Sequence, residues 1–207
     1  MYTLAGALSD VDVAAGSNLL LLGPAMSGKK RLAFEILAAG SERGDGAIIV
    51  STNDGTDRIT DAYADVLDDD PDEIPLGIVD CVSRQQGLDD VEDTELVKYP
   101  SAPDDMTGIG ISLSELLEEF HGDRGLEHNR VCLDSISTLL MYSNVQTIFR
   151  FLHVFTGRVQ NVDGLGLYLM DPSAHDPQTL NTIKGLFDGV IERPTEDDDF
   201  AFSGPEL

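Results

Sequence analysis

The chain has few basic residues. Its 207 residues include 13 Lys and Arg against 38 Asp and Glu, a formal net charge of −25. Only four of the 13 basic residues are Lys. A surface with this charge repels polyanions, so binding of DNA or RNA through a basic face is disfavoured. At molar salt the Debye length falls to about 3 Å and such repulsion is largely screened. The composition therefore predicts adaptation to a high-salt cytoplasm, which leaves the function open.

Long apolar runs are also missing. The runs present are far shorter than the ~20 residues that a membrane helix needs, and the first residues do not form a basic region followed by an apolar core. We therefore expect a cytoplasmic protein without membrane insertion. The two cysteines, Cys81 and Cys132, lie in apolar strand-like runs, at a spacing typical of neither a metal site nor a disulfide framework. Both are expected in the core.

The apolar pattern predicts one α/β domain, since 42% hydrophobic residues suffice for a sizeable core. Strand-like runs alternate with helical patterns, which is typical of a mostly parallel sheet flanked by helices. The predicted strands are Leu19–Leu22, Ala47–Ser51, Leu76–Val82, Arg130–Asp134, Leu165–Met170 and Gly189–Glu192. The predicted helices are Lys29–Ala39, Thr56–Leu67, Leu113–His121, Val145–Val159 and Pro177–Phe187, the second capped by Asn53, Asp54 or Thr56.

Two segments interrupt this alternation. Residues 83–110 are polar and show no clear period, which predicts a long loop or insertion. Residues 194–207 are acidic and predict a disordered tail, which leaves residues 1–193 as the folded domain. The acidic runs 68–70 and 197–199 are interpreted as solvated surface rather than as metal sites.

The strongest functional signal is a phosphate-binding loop. Residues 23–30 read Gly-Pro-Ala-Met-Ser-Gly-Lys-Lys, a complete G-x-x-x-x-G-K pattern between a predicted strand and a predicted helix. The glycines let the backbone approach phosphate oxygens, the first lysine supplies a positive charge, and the helix adds its N-terminal dipole. The alternative is a glycine turn without a ligand, which this context disfavours. The predicted nucleotide contacts are Gly23, Pro24, Ala25, Met26, Ser27, Gly28, Lys29, Lys30 and Arg31.

Lys30 departs from the motif, which has at this position a hydroxyl that ligates the Mg²⁺ of a bound triphosphate. A protonated lysine cannot be a metal ligand, although its charge could substitute in part for the metal. Nucleotide binding is therefore better supported than hydrolysis.

A second signal is the apolar run Arg130–Asp134, which ends in an acid about a hundred residues after the loop. At the carboxyl end of a neighbouring parallel strand, Asp134 would face the phosphate site and hold Mg²⁺ through water. The alternative is an ordinary turn or helix cap.

These motifs resemble the KaiC and RadA branch of the RecA-like ATPases, over about residues 10–193. The resemblance is carried by residues 15–30 and 134–139. A narrower similarity, to haloarchaeal KaiC-like proteins of which some are signal-transducer-like, rests on residues 131–140, 149–152, 171–172 and 187–190. The resemblance implies a three-layer RecA-like core, ATP binding, and rings or filaments with nucleotide between subunits.

Other family features are weak here. An acidic residue after the second strand activates water in that family, and Asp54 is the only carboxylate in the corresponding stretch, where it could equally cap a helix. Asp171 and His175 lie where such folds often sense the γ-phosphate, or else form a polar turn. No Lys or Arg follows Arg193, so a finger reaching a neighbouring subunit would have to come from elsewhere, for example Arg150 or Arg158, which are more typical of solvated or paired helix residues.

We therefore expect an ATP-binding regulatory or signalling protein with weak or absent hydrolysis, acting with a protein partner or as a homo-oligomer. Its switch would be residues 83–110 or 53–57, ordered by the γ-phosphate. Two other classes stay open. One is a nucleotide-free interaction scaffold, which Lys30 and the missing Glu favour. The other is an accessory protein of DNA repair related to RecA, with DNA contacts at Arg84 or Arg124.

Overall fold

The computed structural model describes residues 1–68, 74–88 and 91–205, so the acidic run predicted at 68–70 lies mostly outside the described residues. The described strands are β1 (Tyr2–Thr3), β2 (Asp12–Val13), β3 (Asn18–Leu22), β4 (Gly46–Ser51), β5 (Leu76–Asp80), β6 (Val97–Lys98), β7 (Asn129–Asp134), β8 (Leu165–Met170), β9 (Gly189–Glu192) and β10 (Ala201–Ser203). The described α-helices are α1 (Lys29–Ser41), α2 (Thr56–Ala64), α3 (Met106–Leu117), α4 (Ile136–Tyr142), α5 (Val145–Asn161) and α6 (Pro177–Lys184). A π-helical turn, Glu118–Asp123, continues α3.

Eight strands form one sheet in the order β10-β9-β3-β8-β7-β4-β5-β6. Neighbours pair in parallel except β10, which is antiparallel to β9. Strands β1 and β2 form a separate antiparallel ribbon. The central strands are buried on both faces, which explains their almost unbroken apolar sequences. In this register Leu20 of β3 lies between Tyr168 and Val190.

Helices cover both faces of the sheet. Because successive side chains of a strand point to opposite faces, β3 contributes Leu19 and Leu21 to one core and Leu20 and Leu22 to the other. The first core is closed by α1, α2 and the β1–β2 ribbon, and the second by α3, α4, α5 and α6. This three-layer arrangement with a mostly parallel sheet confirms the predicted fold class. In the described part of the chain no helix has the length and apolarity needed to cross a membrane.

Both cysteines are core residues, as predicted. Cys81 and Cys132 are free thiols with no exposed surface. Burial raises the pKa of each thiol well above its ordinary value, with a smaller contribution from the nearby carboxylates Asp80 and Asp134 respectively. Neither thiol is therefore reactive in the folded protein.

The prediction of a loop over residues 83–110 is wrong in two places, where strand β6 and the start of helix α3 occur. Helix α3 begins at Met106, seven residues before the predicted start, because Asp105 caps it by accepting a hydrogen bond of 2.8 Å from the Gly108 N–H. The glycines of this first stretch hid the helical period. The Arg158 guanidinium packs against Gly110 and donates to its carbonyl.

The disordered tail predicted from residue 194 is also corrected, because Ala201–Ser203 forms the edge strand β10. Phe202 of this strand is half-buried and packs against the core beneath the sheet. The acidic composition that suggested disorder is thus compatible with an edge strand, whose anchoring depends on one aromatic side chain and on main-chain pairing.

The cap predicted for α2 is replaced by a carboxylate from a neighbouring strand. The N-cap position is Gly55, and Asp80 at the end of β5 accepts hydrogen bonds from the Thr56 N–H (2.8 Å) and the Thr56 hydroxyl (2.9 Å). Burial alone would raise the pKa of Asp80, but hydrogen bonds from Ser83, Val82 and Thr56 lower it below its ordinary value. The sequence prediction missed this cap because its donor and acceptor lie 24 residues apart.

Candidate functional site

The predicted phosphate-binding loop joins β3 to α1 at the carboxyl edge of the sheet. Gly28 has a left-handed φ of 81°, and Met26 one of 63°. A Cβ at Gly23 would overlap the Ser27 hydroxyl, so a glycine is required there as well. Within the described residues no side chain caps the N-terminus of α1, which leaves its N-terminal dipole available to a ligand. The local chain therefore has the shape expected of a phosphate cradle.

A cleft of ≈ 490 Å³ opens above this loop. Its walls combine the loop with the ends of β4, β7 and β8. The lining residues are Met26, Ser27, Gly28, Lys29, Lys30, Asn53, Asp54, Asp134 and Leu169. The structure thus brings five of the nine predicted loop contacts into one cleft with both predicted carboxylates.

Lys29 is a half-buried cation without a carboxylate partner among the described residues. Its ammonium donates to the carbonyl of Pro24 in the same loop, at 2.9 Å. Burial lowers the pKa of Lys29, and the more distant carboxylates Asp171 and Asp134 oppose this effect. A bound anion would supply the missing countercharge.

Lys30 lies between two carboxylates. Its Nζ is 2.7 Å from Asp54 Oδ2 and 2.9 Å from Asp134 Oδ2. Burial alone would lower the pKa of Lys30, but the attraction of Asp134 and the hydrogen bond to Asp54 raise it above its ordinary value. The ring of Phe34, 5.4 Å from Nζ, also favours the charged form. Lys30 is therefore an ammonium throughout the neutral range.

Asp54 is held by two cations. Besides Lys30, it accepts a hydrogen bond of 3.2 Å from Arg58, one turn along α2. Partial burial would raise the pKa of Asp54, but Lys30 and Arg58 lower it below its ordinary value. A carboxylate with a lowered pKa is a weak general base, so this geometry disfavours efficient activation of water by Asp54.

The donor set of the cleft does not fit a metal ion. Both cleft carboxylates are bonded to the Lys30 ammonium, and no group of three or more His, Cys, Asp or Glu placed to hold a metal occurs among the residues described. As they lie, these residues do not fit Mg²⁺, because the ion would need the oxygens that Lys30 contacts. The magnesium role of Asp134 remains a prediction that requires Lys30 to move.

Polar residues at the ends of β4 and β7 connect the two strands. The Thr52 hydroxyl donates to the carbonyl of Asp134 at 3.0 Å and accepts from the Ser135 N–H at 2.8 Å. Asn53 donates to Asp134 Oδ1 at 3.4 Å, and its amide oxygen accepts from the Thr138 hydroxyl. These bonds fix the direction of the Asp134 carboxylate. Asn53 was predicted only as a helix cap, and the sole sequence signal for its position in the site is a hydrogen-bonding amide next to Asp54.

The two residues predicted to sense the γ-phosphate lie beside the cleft and are not among its lining residues. Partial burial would raise the pKa of Asp171, but hydrogen bonds from Ser173 and the charge of Lys29 lower it. His175 Nε2 lies 2.9 Å from the Ser137 hydroxyl, which also accepts from the Asp171 N–H. Asp171 thus caps a short turn close to the loop, and His175 is attached to α4 through Ser137.

Three predicted arginines point elsewhere within this chain. Arg31 is exposed on α1 and forms an i,i+4 ion pair with Glu35 at 2.9 Å. Arg150 lines a different cavity of ≈ 520 Å³ between the first turns of α5 and α6. Arg158 donates to the Gly110 carbonyl. The position of Arg150 and Arg158 relative to a second subunit stays a prediction.

Arg193 is a site residue that sequence analysis missed. It follows β9, and its guanidinium donates to the Ser27 carbonyl of the loop at 2.6 Å. The same group donates to the carbonyls of Asp198 (2.7 Å) and Glu196 (2.6 Å) and lies 5.1 Å from the Phe200 ring centroid. Arg193 therefore joins the phosphate-binding loop to the segment after β9. Because its partners are main-chain carbonyls, no pattern of residue types in the sequence indicates these contacts.

Sequence comparison gives a family for this fold and site. Residues 16–193 match the family of unknown function DUF7504. The chain belongs to that family. No protein of curated function matches it.

Two solved structures are similar in fold to this chain. The uncharacterized protein PH0321 from Pyrococcus horikoshii, determined in complex with an unknown peptide, has a TM-score of 0.65 and 17% identity, over 87% of this chain and 78% of that one. The KaiC-like protein PH0186 from Pyrococcus horikoshii OT3 has a TM-score of 0.58 and 10% identity, over 91% and 77%. At these identities the likeness concerns the fold alone. The three-layer core is thus of the RecA and KaiC type, as predicted.

Proposed function

We propose that this protein binds ATP at the phosphate-binding loop and acts as a regulatory or signalling protein with weak or absent hydrolysis. The observation that carries the proposal is Lys29. Its ammonium is half-buried at a cleft of ≈ 490 Å³ and has only a carbonyl as hydrogen-bond partner among the described residues. A partly desolvated cation with no carboxylate in direct contact is costly unless an anion binds, and a phosphate group fits that requirement.

The loop geometry supports the same ligand. Left-handed Gly28 turns the chain into α1, whose uncapped N-terminus adds partial positive charge to the Lys29 side of the cleft. In a chain of net charge −25, the two lysines of this cleft balance its two carboxylates, so the cleft repels an anionic ligand less than the chain as a whole does.

Weak hydrolysis follows from the carboxylates. Asp54, the predicted base, is paired with Lys30 and Arg58 and has a lowered pKa. A base in this state does not take a proton from water readily. We therefore propose that ATP is mainly a bound signal, and that protein partners or further copies of the chain respond to it.

The first experiment is calorimetric titration of ATP onto the native chain and onto Lys29→Ala, at low and at molar KCl. We expect Lys29→Ala to weaken binding about tenfold or more, the loss of one charge-assisted hydrogen bond. The matched control is Lys98→Ala, because Lys98 lies on the edge strand β6, five strands away from β3, and pairs with Glu115 of α3. Its affinity should equal that of the native chain.

Absence of ATP binding by the folded native chain would overturn this proposal. The interaction scaffold would then be the better candidate, and Lys30 already gives it support, because its ion pairs with Asp54 and Asp134 balance its charge without any ligand. Equal loss of affinity in Lys29→Ala and Lys98→Ala would point to a general charge effect instead of a loop contact.

The regulatory part has a separate test. Limited proteolysis with and without saturating ATP should show slower cleavage in residues 53–57 or in the stretch between β5 and α3 if ATP orders either segment. Identical cleavage rates at both places would argue against a switch there, even if ATP binds.

A further inference from the structure

We propose that the Lys30 ammonium takes the place of the divalent cation, so that this site binds nucleotide phosphate without Mg²⁺. The inference rests on the nucleotide binding proposed above and concerns the countercharge used at the same cleft. It arises because the residues of the cleft do not fit the Mg²⁺ ion that a phosphate-binding loop of this type implies.

The position of Lys30 is that of the metal-binding hydroxyl. It directly follows the G-x-x-x-x-G-K pattern, where a Ser or Thr would contact Mg²⁺. Its Nζ lies 2.7 Å from Asp54 and 2.9 Å from Asp134, carboxylates from the ends of β4 and β7. A Mg²⁺ ion binds through such carboxylates, directly or through water. The ammonium therefore uses the acceptors that the ion would need.

The ammonium also keeps one donor for a ligand. A protonated lysine has three N–H groups, and Asp54 and Asp134 accept two of them. The side chain of Lys30 is 31% exposed and lines the cleft beside Lys29. Its third N–H is thus available to a phosphate oxygen, as a metal coordination position would be.

Neighbouring groups hold Lys30 in this place. Asn53 donates to the other oxygen of Asp134, and Arg58 to the other oxygen of Asp54, so both carboxylates present Oδ2 to the ammonium. A metal ion entering the site would have to displace the lysine and would then lie beside its charge. Such like-charge contact disfavours binding of the ion.

The test is titration of ATP and ADP onto the native chain with excess EDTA, and then with millimolar MgCl₂. We expect native affinity to differ by less than about threefold between the two conditions, a free-energy difference well under that of one charged hydrogen bond. Native affinity that falls tenfold or more in EDTA would overturn the inference. The native chain alone decides this point, so a variant that fails to fold leaves it testable.

Substitution of Lys30 sharpens the test. Lys30→Thr restores the hydroxyl and should weaken binding in EDTA by about tenfold or more, with recovery in MgCl₂. Lys30→Arg retains a cation and should bind in EDTA within about threefold of the native chain. Lys98→Thr is the control and should behave as native. Native-like binding of Lys30→Thr in EDTA would contradict the inference.

The two proposals fail differently. If neither nucleotide binds in either condition, the nucleotide-binding function is wrong and this inference falls with it. If both bind, but only with Mg²⁺, the function stands and Lys30 does not replace the metal.

Discussion

Strand β7 carries a buried cation at one end and faces a cleft cation at the other. At its amino end Arg130 is 2% exposed and bonds Asp45 at 2.8 Å, with further bonds to the carbonyls of Ile36 (2.7 Å) and Thr3 (3.1 Å). At its carboxyl end Asp134 meets Lys30, which is 31% exposed and lines the cleft. The Arg130 guanidinium donates to groups of the protein itself, whereas the Lys30 ammonium keeps one N–H donor for a ligand.

The comparison separates a structural charge from a functional one. Arg130 joins four elements (β7, α1, the β1–β2 ribbon and the loop before β4) and lies 5.3 Å from the Tyr2 ring centroid. Three of its five N–H donors are bonded within the protein, which holds the buried guanidinium rigid and away from any ligand. The Lys30 pair gains less in stability because water reaches it, and retains access to the cleft.

The largest effect should follow from breaking the amino-end pair. We expect Arg130→Met to lower the free energy of unfolding by about 3–5 kcal/mol, because Asp45 and two buried carbonyls lose their donors. Denaturant unfolding measures this change. Arg31→Met is the control, since its 67% exposed pair with Glu35 should contribute less than about 1 kcal/mol. Similar losses of unfolding free energy in Arg130→Met and Arg31→Met would show that the buried pair stabilises the fold no more than the exposed pair does.

The carboxyl-end pair should have a smaller and pH-dependent effect. Lys30→Met should lower the free energy of unfolding by about 1 kcal/mol at pH 7, discounted because water screens the pair. The pKa of Asp54 is lowered in the folded chain, so this contribution is full above the ordinary value of 3.8 and is lost as pH falls through the folded pKa. The pKa of Lys30 is raised, so the same contribution is full below 10.5 and is lost as pH rises through the folded pKa.

The measurement is the difference in unfolding free energy between the native chain and Lys30→Met across these pH values. This difference in unfolding free energy should be greatest between the two ordinary pKa values and should become smaller in acid. A difference that is constant down to pH 2 would show that the pair does not carry the effect.

The smallest effect concerns a hydroxyl. Ser27 Oγ is fully buried in the loop and has no hydrogen-bond partner among the described residues. Ser27→Ala should therefore change the free energy of unfolding by less than about 0.5 kcal/mol, or raise it. Ser41→Ala at the other end of α1 is the comparison, because its hydroxyl lies 2.8 Å from the Tyr63 hydroxyl. That variant should lose about 1 kcal/mol. An equal loss in both would mean that Ser27 is also hydrogen-bonded.

The parts of this molecule predicted from sequence are those with local causes. The central strands are long and apolar because both their faces are buried, and the loop at 23–28 ends in Gly28, whose left-handed backbone is a local property. Strands β1, β2, β6 and β10 have two or three residues each, too few for any period to register.

The cleft was predicted as a set of residues but not as an arrangement. The pairing of Lys30 with Asp54 and Asp134 depends on the strand order β3-β8-β7-β4, which brings carboxylates from two distant sequence positions within 3 Å of the Lys30 nitrogen. Arg193 was missed for a related reason, since main-chain carbonyls exist at every residue and give no signal.

The buried thiols make this chain convenient for site-specific chemistry. Cys81 and Cys132 have no exposed surface, so a thiol reagent would not label the native protein. A cysteine introduced at exposed Asp199, next to the aromatic ring that Arg193 covers, would be the one reactive position. A fluorophore there would sit on the segment that Arg193 ties to Ser27, and its emission would follow the loop in real time.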